Sequence, residues 1–412
     1  MSAAAEPFDI AIVGGGPVGA ALGCLLASGA HPRRIAILDR QLPAAADAAV
    51  FATADAALRV SALSRASERI LDSAGAWPAI AASRICPYEY MHVWAGAAAP
   101  RGDAALRFDA AELGEPNLGV IVANEVLQLA LLDAFRARDG SLIDASVQSL
   151  CFEDRGVVIG TSRGSLRARL LVGADGARSA VRALAGMPAE QGDYGQSAVV
   201  AQVRSERGHE RTAWQRFLGH GTLALLPRLD GAISIVWSVT TPEAQRLAAL
   251  APAEFNAELT QASAAVLGAL TLASDRQVFP LRRLSADDYA VERCVLIGDA
   301  AHVVHPLAGQ GVNLGLMDAA VLAELLDTAA AEHEDPGAIR VLRRFERARR
   351  ADNERMMTAI DAFNRFLSFG DPRLLGLAQR GLRQLNRVEF IKRLFAEQAL
   401  GTSGRLPRVA LS

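Results

Sequence analysis

FDIAIVGGGPVGAALGCLLASGA, residues 8 to 30, joins a strand rich in Ile and Val to a glycine turn and an alanine- and leucine-rich helix. Gly14, Gly16 and Gly19 form GxGxxG at that junction. The first glycine permits the turn, the second lets backbone approach a diphosphate, and the third lets helix and strand pack closely. The diphosphate then sits at the helix N-terminus, where unpaired amides and the dipole favour an anion. A second strand, RIAILDR, ends on Asp39, 20 residues after Gly19. A carboxylate there accepts hydrogen bonds from ribose hydroxyls. The element predicts a Rossmann-like unit for an adenine dinucleotide. It leaves FAD and a nicotinamide cofactor equally open, with a ligand-free glycine turn as the bland alternative.

The rest of the chain narrows the field. Its 412 residues suggest two or three units at about 150 residues each. With 51% hydrophobic and 21% charged residues, it buries sizeable cores and is not a disordered protein. A formal charge of −2 argues against a chain-wide nucleic-acid surface. Cys24, Cys86, Cys151 and Cys294 lie far apart without CxxC, which argues against disulfides or a metal site and fits a reducing compartment. Lys392 is the only lysine; a GK[ST] phosphate loop is excluded, as is any Schiff base not formed on Lys392 itself. Ile10 to Ala30 carries no charge, yet its glycines and the acidic opening MSAAAEPFD suit neither a signal nor a membrane anchor. A cytoplasmic protein is expected.

Downstream, NEVLQLALLDAFRAR (Asn124 to Arg138) has helical spacing, and LRARLLVGADG is strand-like. Residues from about Gly195 to Pro280 alternate as strands with aromatics, predicting an antiparallel sheet. CVLIG (Cys294 to Gly298) is a short buried strand, and a long helix follows near Gly311 to Ala330. The fold class expected is α/β: a Rossmann-like dinucleotide domain from residues 1–75, 100–190 and 286–345, an interleaved antiparallel-sheet substrate domain from 76–99 and 191–285, and a helical C-terminal region, 346–412. Alanine-rich residues Ala44 to Ala57 read as a loop. From Arg340 to Ser412 the net charge is +9: either a solvated helix face or a contact for anionic lipid or an acidic partner.

Two later blocks decide the cofactor. LLVGADGARSAVR spans Leu170 to Arg182, and VLIGDAAHVVHPLAGQGVNLGLMDAAVLAELL spans Val295 to Leu326. Asp299 follows a strand and suits a sugar-alcohol hydroxyl, with helix capping as the alternative. Gly309-Gln310-Gly311 opens a helix whose amides suit the electron-rich end of a flavin ring. A nicotinamide dehydrogenase has no need of such a second element.

These blocks resemble the fingerprints of the class A flavin monooxygenases of the hydroxybenzoate-hydroxylase fold: GxGxxG, DG (Asp175-Gly176) and GD (Gly298-Asp299). RVSALSRASERIL from Arg59, ANEVLQLALL from Ala123, WQRFLGHGTLALLPRLDGAISIVWS from Trp214 and ALGTSGRLP from Ala399 resemble one branch, the hydroxylases of ubiquinone biosynthesis. One departure is Ala123-Asn124-Glu125, where that branch commonly has Glu-Asn-Arg.

The resemblance implies that Gly14, Gly16 and Gly19 hold the FAD diphosphate and Asp39 the adenosine ribose, with Arg40 at the adenosine end. It implies that Arg59 and Gln128 approach FAD, and that Asp175 serves FAD and NAD(P)H. Asp299 would take the ribityl chain, while Gly309, Gly311, Val312 and Asn313 line the flavin. NAD(P)H would bind transiently as co-substrate. Reduced flavin would capture O₂ as a hydroperoxide, whose distal oxygen an apolar, electron-rich aromatic ring attacks. A base beside that ring is expected but not identified. His302 and His305 read first as structural histidines, with Tyr194 and Tyr289 weaker candidates.

The implied substrate is a polyprenylated phenol of ubiquinone biosynthesis. The alternatives are a small soluble aromatic acid, or an FAD-holding subunit of a quinone-biosynthesis complex that never turns over. Trp214, Phe217, Leu223, Leu225 and Trp237 fall on strands and read mostly as core. The basic tail with Phe363, Phe366 and Phe369 reads as a peripheral contact to the inner face of a membrane or to a biosynthetic complex; no nucleic-acid partner is expected.

Overall fold

The structure, a computed structural model, describes residues 6–43, 58–83, 85–305, 309–368 and 406–411. The alanine-rich stretch Ala44 to Ala57, Phe369, Lys392 and most of ALGTSGRLP lie outside the described residues, as do the side chains of Phe363 and Phe366.

Phe8–Val13 is the central strand of the first sheet, parallel to both Ile35–Asp39 and Gly164–Gly173. Ser141–Asp144 and Cys294–Leu296 extend the parallel array on either side. These strands are nearly continuous apolar runs because helices cover them. Pro17–Ala27 packs against Asn124–Arg136 and Gln310–Ala331, which is the burial that parallel strands require. The antiparallel strands Val147–Glu153 and Gly156–Thr161 hang from the edge of Gly164–Gly173.

The second sheet has nine strands. Ala189–Ser205 pairs antiparallel with Ile233–Thr240 and Gln277–Ala286; Gly221–Pro227 and Thr212–Phe217 follow. Thr212–Phe217 then pairs in parallel with Tyr90–Ala95, so the sheet is mixed, not wholly antiparallel. The expectation of strands throughout 195–280 also misses two helices, Thr241–Ala249 and Pro252–Ala262. Pro242 and Pro252 stand in their first turns, the position a proline favours. Leu106–Asp109 joins this sheet through Tyr90–Ala95, although the sequence segmentation put residues from 100 onward in the dinucleotide unit. The intervening residues fold back as a hairpin, so pairing carries the sheet across that boundary.

A three-stranded sheet, Val60–Leu63, Gly119–Ala123 and Cys86–Tyr88, completes the β-structure. The C-terminal helix Ile339–Ser368 packs along Gln310–Ala331. Residues 406–411 return to the first domain: Ala410 is fully buried, and the Arg408 amide donates to Glu324 at 2.9 Å. Among the described residues no helix is long and apolar enough to cross a membrane.

Candidate active site

The glycines of the first turn divide into two kinds. Gly14 has φ of +115°, and a Cβ there would stand 2.2 Å from the carbonyl oxygen of Ala174. A Cβ on Gly19 would stand 2.1 Å from the carbonyl oxygen of Gly14. Backbone closes both positions, so only glycine lets helix and strand approach this far. Around Gly16 and Gly311, by contrast, no atom lies within 4 Å of such a Cβ. Both line a cleft of about 810 Å³, together with Val18, Arg59, Gln128, Asp299 and Val312. Pro17–Ala27 has no side-chain cap, which leaves its first amides for an anion entering the cleft.

Asp299 is open to the cleft yet ringed by protein. That desolvation pushes its carboxyl above the ordinary range, opposed by His302 and Arg59 without an offsetting hydrogen bond. A ligand rich in hydroxyls would supply the missing donors. Gly309, at φ +64°, begins helix Gln310–Ala331, again without a side-chain cap.

A second cavity, about 120 Å³, lies on the other side of this turn. Gly309 and Gln310 wall it, whereas Gly311 and Val312 wall the first cleft. Its lining is largely apolar, from Val60, Met91, Leu226 and Val236, with Tyr88 and Gln215 among the polar groups.

The FAD binding domain family model matches residues 7–359. The 3-demethoxyubiquinol 3-hydroxylase of Escherichia coli is 36% identical over 400 residues, covering 96% of this chain and 99% of that protein. The ubiquinone hydroxylase UbiL of Rhodospirillum rubrum is 36% identical over 398 residues, covering 96% of this chain and 90% of that protein. This chain belongs to the FAD-dependent ubiquinone-biosynthesis hydroxylases. The same fold is seen in p-nitrophenol 4-monooxygenase PnpA of Pseudomonas putida DLL-E4, with a TM-score of 0.76 at 18% identity, covering 97% of this chain and 99% of that one. The enzyme is thus an FAD-dependent aromatic-ring monooxygenase.

The groups lining the large cleft suit FAD: open backbone at Gly16, uncapped helix amides, a carboxylate lacking donors at Asp299, and open backbone at Gly311. The other expected contacts of this hydroxylase divide between the cleft wall and the protein's own hydrogen bonds. Asp39 accepts the Gly15 amide at 2.7 Å and the Gln41 amide at 3.2 Å, so its carboxylate braces the glycine turn with acceptor positions to spare. Gln128 donates to the Gly15 carbonyl at 2.9 Å while lining the cleft. Arg40 is exposed and is not part of the cleft wall. Arg59 is, with its guanidinium over the Phe279 ring at 5.8 Å.

Asp175 accepts the amides of Ala180 and Val181 at 2.7 and 3.1 Å and the Ser179 hydroxyl. It caps helix Ala180–Leu184, and its neighbours Ala174 and Gly176 face the cleft in its place. The Asn313 side chain is likewise occupied: Oδ1 accepts the Ser64 amide at 3.0 Å and the Ser67 hydroxyl at 2.7 Å, and Nδ2 donates to the Ala62 carbonyl at 2.9 Å. It clamps helix Gln310–Ala331 to Val60–Leu63 and Arg65–Ser73.

The expected base candidates are structural. His302 Nε2 lies 2.5 Å from Asp318 Oδ2, and its ring stacks on Tyr289. His305 Nε2 lies 3.0 Å from Gln196 Oε1, and burial pushes its pKa down to about 4, so it stays neutral. The Tyr194 hydroxyl donates to Asp361. Leu223, Leu225 and Trp237 pack in the core beneath the two helices of the second sheet, as expected. Trp214 shares that core but also reaches the small cavity.

Sequence reasoning missed Asp318. It is fully buried and takes the Gly298 amide at 3.0 Å, His302, and Arg349 Nε at 2.7 Å. The GD turn is therefore anchored from below to both C-terminal helices. The signal was present: an aspartate sits on the apolar face shared by Leu314 and Leu322, each four residues away.

Proposed function

We propose that this enzyme hydroxylates the ring of a polyprenylated phenol in ubiquinone biosynthesis, using NAD(P)H and O₂. One observation carries the reading: a ring-sized apolar cavity abuts the dinucleotide cleft at Gly309 to Val312. Its volume is of the order of cavities that hold benzene, about 150 Å³. Among the described residues no Arg or Lys lines it, so a small aromatic acid would bury its carboxylate without a counter-charge. The curated relatives are named for ubiquinone hydroxylation, which favours the prenylated phenol.

Bound in the cleft, FAD would pass electrons from NAD(P)H to O₂ and deliver one oxygen atom to the ring, the other leaving as water. The chain's residues do the rest. Gly16 and the following amides would hold the diphosphate, and Asp299 would accept from the polyol. The Gly309–Gly311 turn opens the uncapped N-terminus of Gln310–Ala331 at the cleft, where it would favour negative charge developing on the bound flavin. Val60, Met91, Leu226 and Val236 exclude water from the reacting face.

The chain from Arg340 to Ser412, at +9, docks the enzyme on an anionic membrane or a biosynthetic assembly, as delivery of so apolar a substrate requires. The test is product formation from a 2-polyprenylphenol against 4-hydroxybenzoate under NAD(P)H. Hydroxylation of the prenylphenol alone supports the reading. Hydroxylation of the acid alone overturns it. Flotation with phosphatidylglycerol vesicles, compared with neutral ones, tests docking, and equal partitioning ends that part.

A further inference from the structure

The small cavity has a buried acid behind its wall. Tyr88 ends strand Cys86–Tyr88, lines the cavity and is almost wholly buried. Its hydroxyl lies against Gly119, 3.1 Å from where a Cβ would stand, so glycine makes the room. Glu68, on helix Arg65–Ser73, is 6% exposed. Arg65 pairs with its Oε2, while Oε1 is buried with no hydrogen-bond partner. Such an orphan carboxylate oxygen is costly and calls for an explanation.

Every charged group around Glu68 leads outward. Arg65 also reaches Glu115 at 3.3 Å, and Arg69 reaches it at 3.9 Å. These three side chains are 20 to 30% exposed, so the ion-paired side of Glu68 leads to solvent. Burial, with a further push from Glu115, raises the Glu68 pKa to about 7 against the pull of Arg65 and Arg69. Burial raises the Tyr88 pKa, and the charge of Glu68 raises it further; the Tyr88 hydroxyl and the Leu63 carbonyl oxygen crowd one point at Gly119, 3.1 and 2.2 Å from where a Cβ would stand, and the helix carrying Glu68 starts two residues after Leu63. The same helix is locked to the flavin turn through Ser64, Ser67 and Asn313, so this acid is held fixed relative to the ring site.

We propose that Tyr88 and Glu68 form the proton exit of the ring cavity, taking the phenolic proton of the substrate before the ring is oxidised. This rests on the hydroxylase reading above. The substrate O–H bond breaks and its proton joins the Tyr88 oxygen. The original Tyr88 proton passes to Glu68 Oε1, the buried oxygen without a partner. Glu68 ends neutral, Tyr88 is regenerated, and the negative charge moves to the substrate oxygen, where it enriches the ring. His302 and His305 do not compete, since neither lines the cavity.

The test uses the full-length, FAD-loaded enzyme and two readouts. The first needs no turnover: 4-nitrophenol is bound to the oxidised enzyme and its ionisation followed by absorbance across pH. The second is hydroxylation of a 2-prenylphenol. In the wild type the bound phenol should ionise in step with a group near neutrality. Glu68→Gln and Tyr88→Phe should each abolish that step and slow hydroxylation about 100-fold, the lower end of general-base effects. Flavin reduction by NAD(P)H should stay within about two-fold. The double variant should be no slower than either single one, because the two act in series. Glu68→Asp should restore part of the rate. An unchanged ionisation step in Tyr88→Phe, or hydroxylation within about three-fold of wild type in either single variant, overturns the proton exit. A wild type that hydroxylates no phenol overturns the functional reading, and the exit with it.

Discussion

Asp318 and Arg349 face each other across the two C-terminal helices, Oδ1 to Nε at 2.7 Å, with neither side chain more than 5% exposed. The other oxygen of Asp318 holds the Gly298 amide and His302. A buried carboxylate thus links the GD turn under the cofactor cleft to a helix that never enters the cleft. Arg349→Leu removes the arginine from that buried carboxylate and leaves it with His302 and the Gly298 amide; breaking a buried pair of this kind costs about 3–5 kcal/mol. Chemical denaturation of the apoprotein should show the loss, and FAD should dissociate at lower denaturant than in the wild type.

The same carboxylate sets an acid limit. Burial alone would raise the Asp318 pKa, but the charges and hydrogen bonds of His302 and Arg349 hold it well below the ordinary range. A depressed acid contributes stability above its unfolded pKa, about 3.9, and loses it as pH falls toward the native value. Stability should therefore drop below about pH 4, and Asp318→Asn should flatten that part of the curve. Melting temperature against pH for the two proteins checks it.

Gly16 and Gly19 should fail differently on the same substitution. A Cβ at Gly19 meets the Gly14 carbonyl at 2.1 Å, whereas one at Gly16 meets no protein atom within 4 Å. Gly19→Ala should lower the melting temperature or prevent folding. Gly16→Val should leave the apoprotein's melting temperature within a few degrees of wild type yet lose most of its FAD affinity, because its side chain would occupy the place proposed for the diphosphate. Melting curves and flavin titration read the two effects separately.

Asp299→Asn carries an opposite pair of signs. The native carboxyl is pushed up by desolvation, and a raised acid is most favourable to the fold at low pH and less so as pH rises through its native value. The variant apoprotein should be at least as stable as wild type at neutral and alkaline pH. FAD affinity should fall about 10-fold, the loss of one charge-assisted hydrogen bond. Calorimetry and fluorescence titration test each half.

Ala224→Phe fills the 120 Å³ cavity from the second sheet without touching the first cleft. FAD binding should be unaffected and prenylphenol hydroxylation reduced by at least about 100-fold, since a ring cannot share so small a space. Product analysis beside flavin content measures both.

Local backbone chemistry was legible in the chain. Phe8–Val13 with its glycines, the Gln310–Ala331 helix opening on Gly309, and the aspartate after Cys294–Leu296 all follow from short-range periodicity and turn stereochemistry, and they placed the cleft. The helices Thr241–Ala249 and Pro252–Ala262 were hidden inside an alternating region because their proline starts are brief cues beside strong strand patterns on either side.

What a polar side chain points at is a different matter, because its partner is tens or hundreds of residues away. Asp39, Asp175 and Asn313 sit at the motif positions, yet their hydrogen bonds go to backbone and helix starts. Asp318 and Arg349 come together only when separate helices pack. By itself the sequence determined the strand–turn–helix that takes a dinucleotide, since glycine stereochemistry and apolar period act within a few residues. The tertiary structure decided which polar groups face the ligand and which brace the protein, because a buried donor or acceptor is satisfied by whatever the folded chain brings to it.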